Sequence, residues 1–377
     1  MIRWQDVHLF RFNFNKELSS FFISYAVRNF AYALVGIFIP AFFLSSGYSL
    51  KAIAFYYLMN AFFMGIGCIL TCSLLTKIGV KHGILISAPV TITHFLMLYS
   101  LDTYHWPLTL LALVGASASA FYWPAFHIEF VKSSDHDHRS EEFSAMNVCS
   151  YVVMIFAPLA GGFLATYFGF HILFIIVSVI LCISSIPLFF TEERYEPFDF
   201  SIKNMFSKEN FKDVSVFFSN GVINFTGGVL WPLFIFIALG TFLALGILST
   251  VLMCIVTVSN YLLGRVADRL NKHALLKIGA VLGAALWFVK PFASVFRHFV
   301  VINSVEGLTS SFVDIPFFGI FYNRAQRKID TMEYIIFREL ALNAFGVVFA
   351  ALVFLLVGSF KLSFILAGIA NLGYMFF

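Results

Sequence analysis

Charge is what this chain has least of. Only 12% of its 377 residues are Asp, Glu, Lys or Arg, while 60% are hydrophobic. Ordinary soluble domains carry about 25% charged residues, so a fully water-exposed globular surface is excluded, and a mean hydropathy of +0.89 places the chain in a bilayer. Cysteine is also sparse: Cys68, Cys72, Cys149, Cys182 and Cys254 all lie in apolar runs without metal-ligand spacing. They read as small hydrophobes and predict neither a zinc site nor a disulfide framework. A phosphate-cradling glycine loop is missing, which excludes an ATP-driven pump in this chain. Missing too is a nucleophile with a positioned base, so no enzyme activity, cofactor or metal is expected. Asp135-His136-Asp137-His138 has ligands that would catch a divalent metal only weakly and reads instead as a solvated charge run. The N-terminal segment, with Trp4 and Arg11 among its charges and aromatics, has no small-residue cleavage site, so a removed signal peptide is not expected. No nucleic-acid partner is expected at a net charge of +4.

What the chain does have is long apolar runs. A span needs roughly 20 such residues to cross a hydrocarbon core about 30 Å thick. Twelve segments qualify, near 19–44, 52–75, 82–101, 106–131, 143–166, 169–190, 213–238, 241–263, 274–296, 298–322, 333–357 and 360–377. The fifty Phe residues are scattered through all of them and mark lipid-facing bulk, not a single aromatic site. The longest polar stretch, 191–212, separates spans six and seven and predicts a linker between an N-terminal bundle, 1–190, and a C-terminal bundle, 213–377. On the linker side of the membrane fall eighteen Lys and Arg residues. The opposite side holds four, Lys51, Lys290, Arg297 and Lys361, while Arg28 and Arg338 lie inside spans. Basic loops stay in the cytoplasm, which puts both chain ends there.

The two halves repeat. Pro40 and Pro232, Gly115 and Gly307, and Pro124 and Pro316 are each separated by 192 residues. Such duplication predicts two bundles related by a pseudo-twofold axis, rocking around a site near the midplane. Under the same offset Phe377 corresponds to Ser185, whereas span six runs to about Phe190, so the chain is expected to continue further.

Between spans eight and nine, Gly264-Arg265-Val266-Ala267-Asp268-Arg269-Leu270-Asn271-Lys272 resembles the loop signature G-x-L-a-D-R-x-G-R of the major facilitator superfamily, with Asn271 in place of a glycine. The equivalent loop, Cys72 to Lys81, keeps Lys77, Lys81 and Gly79 but has Thr76 where the acid would be. The resemblance covers the whole chain. It implies an all-α polytopic protein, twelve transmembrane helices in two pseudo-symmetric six-helix bundles, with the first helix of each three-helix unit lining a cavity. It also implies gating loops at Gly264, Asp268 and Arg269 and at Lys77 and Gly79. Asp268 would latch onto the start of span five near Phe143, gaining from the helix dipole. In span five, Ala157-Pro158-Leu159-Ala160-Gly161-Gly162 is similar to the G-P-x-x-G-G segment of drug-proton antiporters, but its first glycine is missing, and Leu111 stands where those exporters have an arginine. Close helix packing is the preferred reading of these small residues.

Charges inside spans are costly and therefore informative. Arg28 lies about nine residues into span one, roughly 14 Å deep at 1.5 Å per residue, with Tyr32 one turn on. Their counterparts at the 192 offset are Asn220 and Asn224, and the four are expected to line the cavity and contact an anionic or zwitterionic solute. Span ten carries Asn303, Glu306, Ser310, Ser311 and Asp314. Glu306 is the expected proton-coupling group, and Asp314 either pairs with Arg338 or joins Arg338 and Glu339 in binding a cation or proton in alternation with substrate. His127 and Glu129, near the end of span four, read as interfacial residues. Together these features predict a monomeric secondary transporter of a small solute in the plasma (inner) membrane, with protons as a candidate coupling ion. A hydrophobic-drug exporter of the same superfamily and a non-transporting sensor or scaffold are the alternatives.

Overall fold

In a computed structural model of the protein, the described residues are 16–133, 139–190, 201–267, 270–327 and 331–377. All regular structure among them is helical, as a bilayer demands of a chain that must satisfy its own backbone. Span one is Lys16–Val35, continued through a 3-10 turn, Gly36–Phe38, into Ile39–Ser45. Spans two to six are Leu50–Ile78, Val80–Tyr99, Leu108–Ser133, Arg139–Met154 with Ala157–Tyr167, and Gly169–Phe189. Span seven is Val214–Phe225, a π-turn at Thr226–Leu230, and Trp231–Leu239. Spans eight to ten are Phe242–Ala267, Lys272–Val289 and Phe296–Arg327. Span eleven is Thr331–Leu340, a π-turn at Ala341–Val347, and Val348–Val357; span twelve is Phe360–Asn371 with Leu372–Phe376. Ten of these are long and apolar enough to cross a membrane, and Phe360–Phe376 is apolar but shorter. Span ten is long enough to cross, at 32 residues, but carries the polar stripe from Asn303 to Asp314.

The 192-residue offset reappears in helix starts: Leu50 and Phe242, Val80 and Lys272, Arg139 and Thr331. Pro40 and Pro232 both stand in the first turn of the second segment of their spans. A proline there lacks the amide its neighbours use, so the ladder must adjust just before it. Span one adjusts by tightening to a 3-10 turn and span seven by widening to a π-turn. Helix starts are fixed locally by side-chain caps, Ser49 accepting from the Ala52 amide and Asn271 from the Ala274 amide.

Two seams join the halves. Span two packs along span eleven, and span five along span eight. Both rely on small residues that let backbones approach. A Cβ on Gly65 would lie 2.6 Å from the Ala344 Cβ; one on Gly246 would lie 2.5 Å from the Pro158 carbonyl oxygen, and one on Gly162 2.7 Å from that of Phe242. Gly161 lies directly against the Leu34 carbonyl. The Ala157–Gly162 segment is thus accounted for by packing. At the end opposite the linker, Ile39–Ser45 touches Trp231–Leu239, and Phe38 meets Phe242 edge-on at 6.4 Å.

The phenylalanines divide between roles. Phe38, Phe95, Phe126, Phe174 and Phe217 are fully buried between helices, whereas Phe156, Phe189 and Phe190 are exposed on the apolar exterior. Lipid-facing bulk therefore describes only part of them.

Gly246→Leu should force the span five–span eight seam apart. The expected result is a Tm several degrees lower, together with faster maleimide labelling of a cysteine placed at Tyr57, because overpacking of this size costs about 1–3 kcal/mol. Unchanged Tm and labelling would show that the seam has slack.

Candidate functional site: a central cavity between the bundles

A cavity of about 440 Å³ lies between the two halves, lined from spans one, two, four and five on one side and seven, eight, ten and eleven on the other. Its walls are aromatic and carboxamide. Tyr25, Tyr57, Trp123 and Tyr151 supply the rings, and Asn60, Asn147, Asn220, Asn224, Asn260 and Asn343 supply the amides. Several amides are held in place by their neighbours. Asn60 donates to the Ala112 carbonyl at 3.1 Å, and Asn147 accepts from the Tyr25 hydroxyl at 3.3 Å. Asn220 donates to the Tyr374 hydroxyl at 2.5 Å while its oxygen accepts from Asn224 at 3.4 Å. Asparagine offers both donors and acceptors, so such a wall suits a solute with several hydroxyl or amide groups.

The charged part of the lining lies toward the linker end, where span four meets spans ten and eleven. Arg338 pairs with Glu339, and its Nη1 donates to His127 Nε2 at 3.1 Å. Arginine has no acceptor, so His127 Nε2 is unprotonated here, and Nδ1 donates to the Tyr322 hydroxyl at 2.7 Å. Glu339 Oε1 is 3.4 Å from the same His127 Nε2, and Glu339 Oε2 accepts from Asn343 at 3.3 Å. The three ionisable side chains are desolvated: His127 and Glu339 are each 3% exposed and Arg338 6%. The Arg338 guanidinium also lies over the rings of Phe318 and Phe321 at 5.4 and 5.1 Å. His127 belongs to the N-terminal half and its partners to the C-terminal half, so the network bridges the bundles.

Asp314 faces the cavity from span ten and makes no hydrogen bond or ion pair among the described residues. The expected pairing of Asp314 with Arg338 is therefore corrected: Glu339, adjacent in sequence and already buried, takes the guanidinium. Asn220, Asn224, Arg338, Glu339 and Asp314 do come together around one cavity.

Arg28 and Tyr32 do not reach the lining. Arg28 is 4% exposed and turned into the N-terminal bundle. It donates to Tyr32 and Thr91 at 3.4 Å and stacks on Tyr122 at 3.8 Å. A phenol face and two hydroxyls hold the guanidinium away from the cavity, and Tyr25, nearly one turn earlier, presents span one's polar group to it. Glu306 is likewise placed elsewhere. Lys290, counted among the basic residues of the side opposite the linker, is fully buried, donates to Glu306 Oε1 at 2.7 Å, and sits 3.6 Å from the Trp287 ring and 4.6 Å from that of Trp231. An ammonium inside a bundle needs such a partner, and Glu306 supplies it.

Of the gating-loop residues, Gly79 joins spans two and three with φ +89°, a conformation glycine tolerates. Lys77 is exposed and Gly264 buried near the end of span eight. Asp268 and Arg269 lie outside the described residues, as do Asp135 to His138. His127 and the amides of Asn60, Asn147, Asn260 and Asn343 were not singled out as cavity groups by sequence reasoning. The available signal was the same for each, a lone polar residue well inside an apolar run. For His127 it was masked by closeness to the helix end, which the structure extends to Ser133.

Two helix bundles enclosing a polar cavity between their inner faces define a polytopic membrane protein of the two-bundle type. A sequence profile for the Major Facilitator Superfamily matches residues 21–245, and the chain belongs to that family. It is 24% identical over 265 residues to the uncharacterized protein YqgE of Bacillus subtilis (strain 168), covering 66% of this chain. This chain spans 61% of that relative's length. Among solved structures, the E. coli fucose:proton symporter FucP superposes with a TM-score of 0.67 at 15% identity, covering 95% of this chain and 97% of that one. The human organic anion transporter MFSD10 (TETRAN) superposes with a TM-score of 0.68 at 11% identity, covering 96% and 98%. At these identities the structural likeness speaks for the fold alone.

Lys290→Met leaves the half-buried Glu306 without its partner, and is expected to destabilise the protein by about 1–3 kcal/mol, seen as a fall in Tm of several degrees. The double variant Lys290→Met, Glu306→Gln should recover most of that loss. A double variant as unstable as the single one would refute the pairing.

Proposed function

We propose that this protein is a secondary active transporter that carries a small, hydroxyl-rich solute, uncharged or cationic, through the central cavity by alternating access, with protons as the coupling ion. The observation that carries this reading is the charge balance of the lining. Six carboxamides and several phenols surround one carboxylate, Asp314, that is unpaired among the described residues, while the cation facing the cavity, Arg338, is neutralised by Glu339. An anionic solute would meet no free cation there, and the support for anionic cargo falls with the displacement of Arg28 from the lining. A wall rich in amides is also a poor match for a purely hydrophobic drug. The family contains a fucose:proton symporter with this fold, which is consistent with a hydroxylated cargo.

In this reading Asp314 is the proton acceptor exposed to the cavity. His127 is the group that relays the change of charge to the seam. When neutral, its Nε2 accepts from Arg338; when protonated, the same nitrogen must turn from Arg338 toward Glu339. That exchange weakens the Arg338–Glu339 pair and loosens the contact between spans four and eleven. The eighteen basic residues on the linker side support a cytoplasmic location for that side and for both chain ends, in the plasma (inner) membrane.

The test is Asp314→Asn in proteoliposomes, using a solute found by thermal-shift screening of hydroxylated and cationic metabolites. Proton-driven accumulation should disappear, while solute counterflow stays within a few-fold of wild type. Normal accumulation would remove Asp314 from coupling; loss of counterflow in a well-folded variant would make it a solute ligand instead. Asn220→Ala should weaken solute binding roughly tenfold, a loss of about 1.4 kcal/mol, whereas Arg28→Gln should leave binding within about twofold. The reverse ranking would return Arg28 to the site.

A further inference from the structure

On the lipid-facing side of spans nine and ten, at the end opposite the linker, there is a second concavity of about 390 Å³. Its floor and sides are apolar, Val289, Phe292, Val301 and Ile302, and its rim is basic, Arg297 and His298. Phe292 and Val301 are 70% and 62% exposed, so the groove opens outward and not toward the central cavity. Lys361, from the start of span twelve, reaches the same place, its Nζ 5.8 Å from the Phe292 ring.

The distribution of charge gives this clustering its meaning. The chain places only four basic residues at this end, Lys51, Lys290, Arg297 and Lys361. Lys290 is buried and spent on Glu306. Of the three that remain, two converge on one groove, and no carboxylate among the described residues pairs with either. His298 adds a third donor: its Nδ1 accepts from the Ser294 amide at 3.4 Å, which leaves the proton of the neutral ring on Nε2. A scatter of interfacial residues reaching for water would not concentrate the scarce positive charge of one membrane face beside a pit of exposed apolar side chains.

We propose that this groove binds one anionic phospholipid, its phosphate held by Arg297, His298 and Lys361 and the upper part of an acyl chain lying along Phe292, Val301 and Ile302. The match is of charge to charge and apolar to apolar at the depth where a headgroup meets its chains. The site is independent of the central cavity and of the solute assigned to it. Because it clasps spans nine, ten and twelve together, its occupancy would stiffen the C-terminal bundle.

The experiment is a thermal-shift titration of purified protein in detergent with phosphatidylglycerol, phosphatidylcholine of the same acyl chains, and soluble glycerol phosphate. Phosphatidylglycerol should raise the Tm of the wild type by roughly 3 °C or more, and the other two should not. In Arg297→Gln, Lys361→Gln the rise should shrink by more than half, with an unchanged Tm in phosphatidylcholine. Lys51→Gln, the remaining exposed cation at this end, should respond like wild type. The proposal fails if phosphatidylcholine stabilises as well as phosphatidylglycerol, if glycerol phosphate alone suffices, or if the double variant responds like wild type. Equal loss in Lys51→Gln would also overturn it, since the effect would then be one of general surface charge. Native mass spectrometry supplies a readout independent of stability: one retained phosphatidylglycerol per wild-type molecule, lost in the double variant.

Discussion

A cation, a carboxylate and an imidazole are buried together where the two bundles meet. Arg338 and Glu339 sit side by side on span eleven, and each lies within 3.4 Å of one nitrogen of His127 on span four. Burying such charges costs several kcal/mol unless all partners stay in place, so this one contact makes the register between halves specific. In the proposed transport cycle it is also the contact that a single proton breaks, because His127 Nε2 cannot accept from Arg338 and donate to Glu339 at once. Tyr322, accepting from the other ring nitrogen, adds span ten to the same junction. The glycine seams set how closely the bundles approach; the ionic junction decides which approach is held.

The duplication explains both what the halves share and where they part. Helix starts, the proline-induced irregularities of spans one and seven, and the proline inside spans four and ten follow the 192-residue offset. The polar residues carried by that scaffold do not perform matching jobs. Asn220 faces the cavity, while its counterpart Arg28 is folded inward onto Tyr122 and Thr91. The cavity's charge is drawn mainly from spans ten and eleven of the C-terminal half, and the N-terminal half contributes rings, amides and His127. Away from the cavity, each half also buries a cation against its own aromatic rings, Arg28 on Tyr122 and Lys290 between Trp231 and Trp287; of these two, Lys290 has a carboxylate partner.

Much of the architecture was legible in the sequence because it follows from periodic facts: the length of apolar runs, the offset between prolines, and the sparseness of charge. That Asn220, Asn224, Asp314, Arg338 and Glu339 line the cavity was legible for the same reason, each being polar where lipid would reject it. The sequence could not say which way such a residue turns. Arg28 and Glu306 are as deep and as polar as the cavity groups, yet Thr91, Tyr122 and Lys290, distant in sequence, capture them first. Lys290 was misplaced because it stands next to Pro291 near the outer end of span nine, where facing the membrane surface is the natural reading, although the turn of 3-10 helix there folds it into the bundle. His127 was the reverse case, a residue close to a helix end whose partners all come from the other half of the chain.

The central claim, that the junction at His127, Arg338 and Glu339 holds the bundles together at the linker end, is tested most directly by pulsed electron paramagnetic resonance between spin labels on the linker-side ends of spans four and ten. In wild type the short distance should dominate at high pH and give way to a longer one as His127 is protonated. Glu339→Gln should show the longer distance at both pH values. A distribution that stays short and unchanged in the variant and across pH would contradict the account.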